Sequence, residues 1–312
     1  MNKFDEILDF LGKKIRELRR GKKLSQEEFA FQCNLDRTYI SDVERGKRNI
    51  SIINLRNIAD VLDVPLSKLF EDFSSTELSS IDQDLSRYKI RANFSTFCGF
   101  TVTSNDIAYA AVMTSNQLQA LPFTLFQSID LKALSGIVGA FFGSHLSKKV
   151  GAILNPIEKG HPDIIPRSGQ NASEAQLRNY PDGLEIKSTV GNVAKGSNLQ
   201  AGEERLSVLT GLTWQAHHQE VKRLLGLVID FGGQVYAGRH FPIITAAFYA
   251  GNLETENWGQ ISGTTGRNTK VTGLRASGKR KMGAGWTVIL DKKEYQQKYE
   301  NLLSFQVEDG NN

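Results

Sequence analysis

The sequence predicts a small all-α unit followed by a larger α/β unit built on a central mixed sheet. Three observations predict it. Residues 24–51 carry two capped helices around a tight turn, residues 130–150 form one long helix with a broad apolar face, and residues 184–189 alternate apolar and polar side chains with the period of a strand. Between the halves lies FSSTELSSIDQD, residues 73–84, rich in serine and acid and weakly hydrophobic, the composition of a solvated linker. The expected boundaries are therefore 1–72, 73–84 and 85–312.

In the first unit, Leu8, Leu11, Ile15 and Leu18 recur at helical spacing. Ser25 and Glu28 form an S-x-x-E capping box, so a helix starts there and runs to about Gln32 or Cys33. Asn34 follows where the turn needs a left-handed residue, which asparagine tolerates almost as well as glycine. Asp36 caps a second helix, about Arg37 to Arg45, which Gly46 ends. Phe29, Leu35, Ile40 and Val43 pack the two helices together, leaving Arg37, Thr38, Tyr39, Ser41 and Asp42 on or near the outer face. Ser51 caps a helix carrying Ile53, Leu55, Ile58, Ala59 and Leu62, and a short last helix holds Leu66, Leu69 and Phe70. This is a helix-turn-helix, a unit that lays its second helix in the major groove of DNA.

Five helices in this order over residues 8–72 resemble the lambda-repressor-like family of DNA-binding domains, and the run DRTYISDVERGKRNIS is most similar to the controller proteins that regulate restriction–modification operons. The resemblance implies double-stranded DNA as partner. Arg37, Thr38 and Tyr39 would read bases, with Ser41 behind them. Gln26 would hold a phosphate at the start of the first helix, and Arg45, Lys47 and Arg48 would add phosphate contacts.

The second unit has about 230 of the 312 residues, ample for a sizeable core. Its long helix, Asp130–Val150, presents Leu131, Leu134, Ile137, Val138, Phe141, Phe142 and Leu146 on one side. Asp163 then leads into the apolar pair Ile164–Ile165. In the strand that follows, Leu184, Ile186 and Ser188 point one way while Glu185, Lys187 and Thr189 point the other. Glu185 and Lys187 thus share a face, about 7 Å apart along the strand. Residues 206–217 alternate like a strand, residues 224–231 and 242–250 read as two buried strands separated by a glycine-containing loop, residues 285–290 as another, and about 293–304 as a closing helix.

Asp163, Glu185 and Lys187 spell P-D…E-x-K with 21 residues between the acids. This pattern resembles the PD-(D/E)xK nuclease superfamily, which includes most type II restriction endonucleases, and it implies a restriction-endonuclease-like fold. The chemistry fits the residue types. Two carboxylates on neighbouring strands can hold a divalent cation beside a scissile phosphate, and a lysine on the same face can orient the attacking water and stabilise the added negative charge. Hard oxygen ligands favour Mg²⁺, with Mn²⁺ as substitute. The resemblance adds the carbonyl of Ile186 as a further ligand. Asp182, in a second Pro-Asp, is the alternative acid, Glu158 an additional acidic candidate set against a surface charge, and His217 and His218 lack the second cluster a zinc site needs.

Residues 261–286 carry six basic side chains, Arg267, Lys270, Arg275, Lys279, Arg280 and Lys281, with no acid among them, interspersed with Gly, Ser, Thr and Asn. They read as a loop that wraps DNA, with Arg267, Asn268, Lys270 and Arg275 as base readers. The net charge of +4 is too mild to identify a partner by itself. Two cysteines far apart give no disulfide framework, no apolar run approaches 18 residues, and the N-terminus lacks a signal-peptide layout, so the expectation is a cytoplasmic protein with no membrane partner. The resulting expectation is a type II restriction endonuclease, a homodimer on a palindromic site, with a DNA methyltransferase in the same operon and an N-terminal domain that serves autoregulation, targeting or both. The alternatives are a non-enzymatic regulator whose second unit senses a ligand or oligomerises, and a modification-dependent or phage-defence nuclease.

Overall fold

The computed structural model describes residues 3–70, 84–158, 160–194, 200–217, 219–263 and 270–305. They divide into two compact units, 1–83 and 84–312; most of the expected linker lies outside the described residues.

The first unit is helical. Helix α1 (Lys3–Gly21) buries Leu11 and Ile15, with Leu18 half-buried. Helix α2 (Gln26–Gln32) opens with the expected capping box: the Ser25 hydroxyl accepts from Glu28 N at 3.1 Å, and the Glu28 carboxylate accepts from Ser25 N at 2.8 Å. Asn34 makes the turn at φ 53°. Helix α3 (Arg37–Glu44) has Asp36 at its N-cap position, but that side chain makes no capping hydrogen bond, contrary to expectation. Gly46 follows at φ 66°, and a Cβ there would lie 2.7 Å from Asp9 Cα, so both the turn and the approach of α1 require glycine. Ser51 caps α4 (Ile52–Val61), accepting from Asn54 N at 3.2 Å. Residues Leu66–Phe70 form a 3₁₀ turn in place of the expected fifth α-helix. Phe29, Ile40, Val43, Leu55, Ile58, Leu62 and Leu69 complete the core, Leu35 packs partly buried against it, and Ile53 faces solvent at 70% exposure.

Within that core, Arg19 of α1 grips Glu44 of α3 through Nε–Oε1 at 2.5 Å and Nη2–Oε2 at 3.0 Å, while its Nη1 donates to the Leu24 carbonyl at 2.6 Å. Both side chains are buried. Removing one partner strands the other charge out of water, so Glu44→Ala is expected to destabilise this unit by about 3–5 kcal/mol. Urea unfolding followed through the N-terminal transition measures it; a loss below about 1 kcal/mol, the range of an exposed pair, contradicts the burial argument.

The second unit is a five-stranded mixed sheet between helices. In chain order its elements are β1 (Tyr88–Ile90), β2 (Ser95–Phe97), β3 (Thr101–Thr103), α5 (Ser104–Gln119), α6 (Phe123–Ser128), α7 (Leu131–Lys149), β4 (Ile153–Leu154), β5 (Ile164–Ile165), α8 (Glu174–Leu177), β6 (Glu185–Thr189), β7 (Asn192–Val193), β8 (Leu209–Gly211), β9 (Gln215–Ala216), β10 (Leu224–Tyr236), β11 (Arg239–Ala250), β12 (Ser262–Gly263), β13 (Lys270–Gly273), α9 (Ala276–Ala284), β14 (Trp286–Leu290) and α10 (Lys293–Leu303). The sheet order is β1-β14-β11-β10-β6, with β10 and β6 parallel and the other pairs antiparallel.

Helix α7 begins where expected, Asp130 accepting from Ala133 N at 2.7 Å, and buries Leu134, Val138, Phe142 and Leu146. It packs on one face of the sheet: the Ser188 hydroxyl of β6 donates to the Ser135 carbonyl at 3.1 Å, and a Cβ on Gly143 would lie 3.7 Å from Ile186 Cδ1. The opposite face receives α9, α10 and Trp214. Gly226 of β10 has no room for a Cβ, which would lie 2.5 Å from Trp214 and 2.6 Å from Met282 of α9. Since Lys187 pairs with Gly226 in the parallel ladder, its side chain stands on that same face.

Three expectations give way here. The loop placed between β10 and β11 is mostly strand, closed by a two-residue turn at Ala237 and Gly238, φ 49° and 78°. Residues 206–217 do not form one strand but a 3₁₀ turn and the short β8 and β9, each paired elsewhere. The basic segment 261–286 is not a continuous loop: β13 and α9 occupy its second half.

Candidate functional site

On the first unit, α3 presents Arg37 and Thr38 exposed at its start, with Tyr39 and Ser41 half-buried beside them. Tyr39 is fixed from two sides. Asn54 Nδ2 donates to its hydroxyl at 3.0 Å, and the Arg48 guanidinium lies 4.7 Å from its ring centroid. Asp42 pairs with Arg45 at 2.7 Å and lies 4.0 Å from Arg48, so these two arginines are held by one carboxylate. Arg45, Lys47 and Arg48 are exposed. Gln26, at the start of α2, donates its amide nitrogen to Glu44 at 2.8 Å, which ties it to the buried ion pair.

On the second unit the three residues of the P-D…E-x-K pattern come together. Ile164 and Leu184 form an antiparallel bridge, donating to one another's carbonyls at 3.1 and 2.9 Å, which sets Asp163 beside the start of β6. Glu185 N donates to Arg223 O on the β10 side, and the next amide, Ile186 N, donates to Asp163 Oδ2 at 2.7 Å on the outer edge. In an extended strand the N–H and C=O of one residue face the same edge, so the Ile186 carbonyl also faces the Asp163 side. Lys187 Nζ lies 2.5 Å from Glu185 Oε1 and 3.6 Å from Asp163 Oδ2. Its ammonium bridges the two carboxylates.

The charges of the three are tuned against one another. Burial pushes the Asp163 carboxyl up from 3.8, and the neighbouring Glu185 charge pushes it further, against the pull of Lys187. Burial alone would raise Glu185 as well, but the hydrogen bond from His161 and the charge of Lys187 outweigh it and hold the carboxyl down at about 2. Burial works to lower Lys187, and the two carboxylates override it and hold the amine up. At neutral pH the site is therefore an ammonium between two acids, of which Glu185 is the more readily ionised.

That arrangement fits a hard divalent cation. The oxygen set is two carboxylates and a backbone carbonyl on one edge, and Lys187 already places a positive charge between the acids. Among the described residues no three His, Cys, Asp or Glu side chains converge as a metal cage. Mg²⁺ is characteristically held by one or two carboxylates with waters and substrate phosphate completing its shell.

His161 is the site residue that the sequence reading passed over. Its Nδ1 lies 2.7 Å from Glu185 Oε2. Residues 161–163 form bends rather than a strand, so no alternation in the sequence marks His161. Asp182, the alternative acid, instead pairs with Arg223 at 3.3 Å, and Glu158 is a surface charge. His217 is exposed and His218 lies outside the described residues.

Of the basic segment, Arg267, Asn268 and the side chain of Lys270 lie outside the described residues. Arg275 is exposed at the N-cap of α9 and Arg280 is exposed on the helix, with Lys279 half-buried. Lys281 donates to the Asn252 carbonyl and to Asn257 Oδ1 at 3.0 Å, so its amine anchors the helix within the protein. Helix α9 packs on the sheet face that carries Lys187.

Comparison with known proteins bears on the first unit. The Helix-turn-helix family profile matches residues 15–69. Control protein C.MunI of Mycoplasma sp. is 53% identical over 62 residues, 20% of this chain and 84% of that protein. Control protein C.BamHI of Bacillus amyloliquefaciens is 48% identical over 61 residues, 19% of this chain and 75% of that protein. The solved restriction–modification controller protein C.AhdI from Aeromonas hydrophila is 48% identical, covering 20% of this chain and 96% of that one at a TM-score of 0.20. Through its N-terminal unit the chain belongs to the helix-turn-helix family of restriction–modification control proteins.

Proposed function

We propose that the second unit is a Mg²⁺-dependent endodeoxyribonuclease of the PD-(D/E)xK type, and the whole chain a type II restriction endonuclease joined to a control-type DNA-binding domain. The observation that carries this reading is the convergence of Asp163, Glu185 and Lys187 at the outer edge of β6. A control-family domain in the same chain supports it, because it ties the protein to restriction–modification. Asp163, Glu185 and the Ile186 carbonyl would hold the cation, which when bound supplies charge neutralisation at the phosphate and acidifies coordinated water. Lys187, released from Glu185, would orient the attacking water and donate to the phosphoryl oxygen as negative charge builds there. The water oxygen would bond to phosphorus and give up one proton to solvent, the bond from phosphorus to the leaving sugar oxygen would break, and that oxygen would take up one proton from solvent, so that no proton is gained or lost overall. Arg275 and Arg280 would hold backbone phosphates on the same side of the sheet. A palindromic site would call for a homodimer.

The test is incubation of the purified protein with plasmid or phage DNA in Mg²⁺ or EDTA, followed by sequencing of the ends. Metal-dependent ends at one short sequence are expected, and no cleavage of either unmodified or modified DNA under any metal condition rejects the nuclease. Ends found only on modified DNA would favour the modification-dependent reading. The high identity to control proteins favours a second role for the first unit, regulation of its own operon.

The electrostatics give a pH dependence. Cation binding requires Asp163 ionised, and its carboxyl is raised. Mg²⁺ or Mn²⁺ affinity measured without DNA is therefore expected to fall on acidification through a midpoint above the ordinary aspartate value of 3.8. Glu185, held at about 2, contributes none of that fall until much lower pH. Calorimetric titration across the acid range reads the midpoint; one at or below the ordinary value contradicts the tuning.

A further inference from the structure

We propose that His161 is a positioning residue that fixes the Glu185 carboxylate for cation binding; the inference rests on the reading of Asp163 and Glu185 as a metal pair. Both oxygens of Glu185 are engaged, Oε2 by His161 Nδ1 at 2.7 Å and Oε1 by Lys187 Nζ at 2.5 Å. A carboxylate that faces an ammonium only accepts hydrogen bonds, so Nδ1 carries the hydrogen and donates. The two contacts differ in kind. Lys187 sits on a long flexible stem and shares its charge with Asp163, so its ammonium could leave Oε1 to make room for a cation between the acids. His161 is not free to move in that way.

Its backbone is clamped on both sides. His161 N donates to Leu177 O at 3.1 Å, and its carbonyl accepts from Tyr180 N at 2.7 Å. Asn155 ties the same loop together: its side-chain nitrogen donates to Pro162 O at 3.1 Å and Leu177 O at 2.9 Å, and its amide donates to Asp163 O at 2.9 Å. Gly160 is locked against it, since a Cβ there would lie 2.2 Å from Asn155 Oδ1. Leu177 itself is buried. The segment carrying Asp163 therefore also carries a rigid donor to Glu185, and the two acids are set relative to one another through a single loop. With Oε2 held by His161, Glu185 offers one oxygen, Oε1, toward Asp163. Such outer partners of metal ligands set ligand orientation, and their loss typically weakens metal binding about 10–100-fold.

The test is calorimetric titration of the full-length protein with MnCl₂, without DNA, comparing wild type, Asp163→Asn, His161→Phe and His161→Asn. Phenylalanine keeps the ring and deletes the donor. Asparagine places an amide N–H near the position of Nδ1. Wild type is expected to bind Mn²⁺ and Asp163→Asn to lose it. His161→Phe should bind about 10–100-fold more weakly at an unchanged unfolding midpoint, and His161→Asn should recover most of the affinity. His161→Ala, made alongside, reads the same loss if the larger ring does not fit. Wild-type affinity in His161→Phe, or no recovery in His161→Asn, overturns the role of His161 alone. A wild-type protein that binds no Mn²⁺ overturns the metal reading and this inference with it.

Discussion

Asp163→Ala, Glu185→Ala and Lys187→Ala are each expected to lower DNA cleavage on the order of 10³-fold or more while leaving the second unit folded. A metal ion supplies several kcal/mol of transition-state stabilisation, and each 1.4 kcal/mol is a factor of ten in rate, so losing a ligand or the water-orienting amine removes several powers of ten. The fold should survive because β6 is held by its backbone ladder to β10 and by the Ile164–Leu184 bridge, neither of which uses these side chains. Asp163 has one structural duty, accepting from Ile186 N at 2.7 Å, and Asp163→Asn keeps an acceptor there while removing the charge. Loss of cleavage in the asparagine variant therefore isolates the charge. DNA binding should persist and tighten in the acid variants, because two carboxylates facing a phosphate repel it. The measurements are single-turnover cleavage and a binding isotherm on the same DNA. Near-normal cleavage by Asp163→Ala together with loss in Asp182→Ala would assign the acid to the other Pro-Asp.

The sequence revealed the site in proportion to how local its geometry is. Glu185 and Lys187 were readable as one face because a strand alternates by rule, and Asp163 because it stands in a Pro-Asp directly before a short apolar pair; that this pair bridges back to the strand is seen only in the structure. His161 was not readable, because its contact with Glu185 spans a loop whose course is set by Asn155 and Leu177, residues with no periodic signature. In the first unit, Ser25, Asn34 and Ser51 fulfilled their parts because caps and left-handed turns depend on near neighbours. The tie from Gln26 to Glu44 was not legible, because the two lie 18 residues apart on different helices. Helix α9 was misread as loop for a physical reason. Its glycines look like breakers in sequence, yet Gly278 and Gly283 are contact positions: a Cβ on the first would lie 2.7 Å from Leu274, and on the second 2.7 Å from the Leu303 carbonyl. The loop expected between residues 231 and 242 is shorter than it looked, because Gly232 and Gly233 sit within β10 and only Ala237–Gly238 make the turn.

An Arg37→Ala, Thr38→Ala double substitution is expected to remove sequence-specific binding of the first unit to the DNA upstream of its own gene, yet leave cleavage at the restriction site intact. Both residues stand exposed at the start of α3, the end of a recognition helix that meets base edges. Neither appears in the buried core, which Phe29, Ile40 and Val43 form from the other side of the helices, so the change should not unfold the unit. A well-made base contact is worth about 1–3 kcal/mol, so two lost together weaken specific binding by roughly 10²-fold or more. The phosphate contacts expected of Arg45, Lys47 and Arg48 would remain, leaving residual affinity that is weak, indifferent to sequence and steeply dependent on salt. Tyr39 offers a finer probe. It is fixed by Asn54 and stacked under Arg48, so Tyr39→Phe removes one hydrogen bond while keeping the stack, and should cost less than the double substitution. Footprinting of the wild type on its own promoter, at low salt and with metal withheld, is the direct measurement. Protection that disappears in the double variant identifies the first unit as a regulator. No protected region in the wild type would mean that the control-type domain serves cleavage alone, and the double variant should then lose cutting at the restriction site as well.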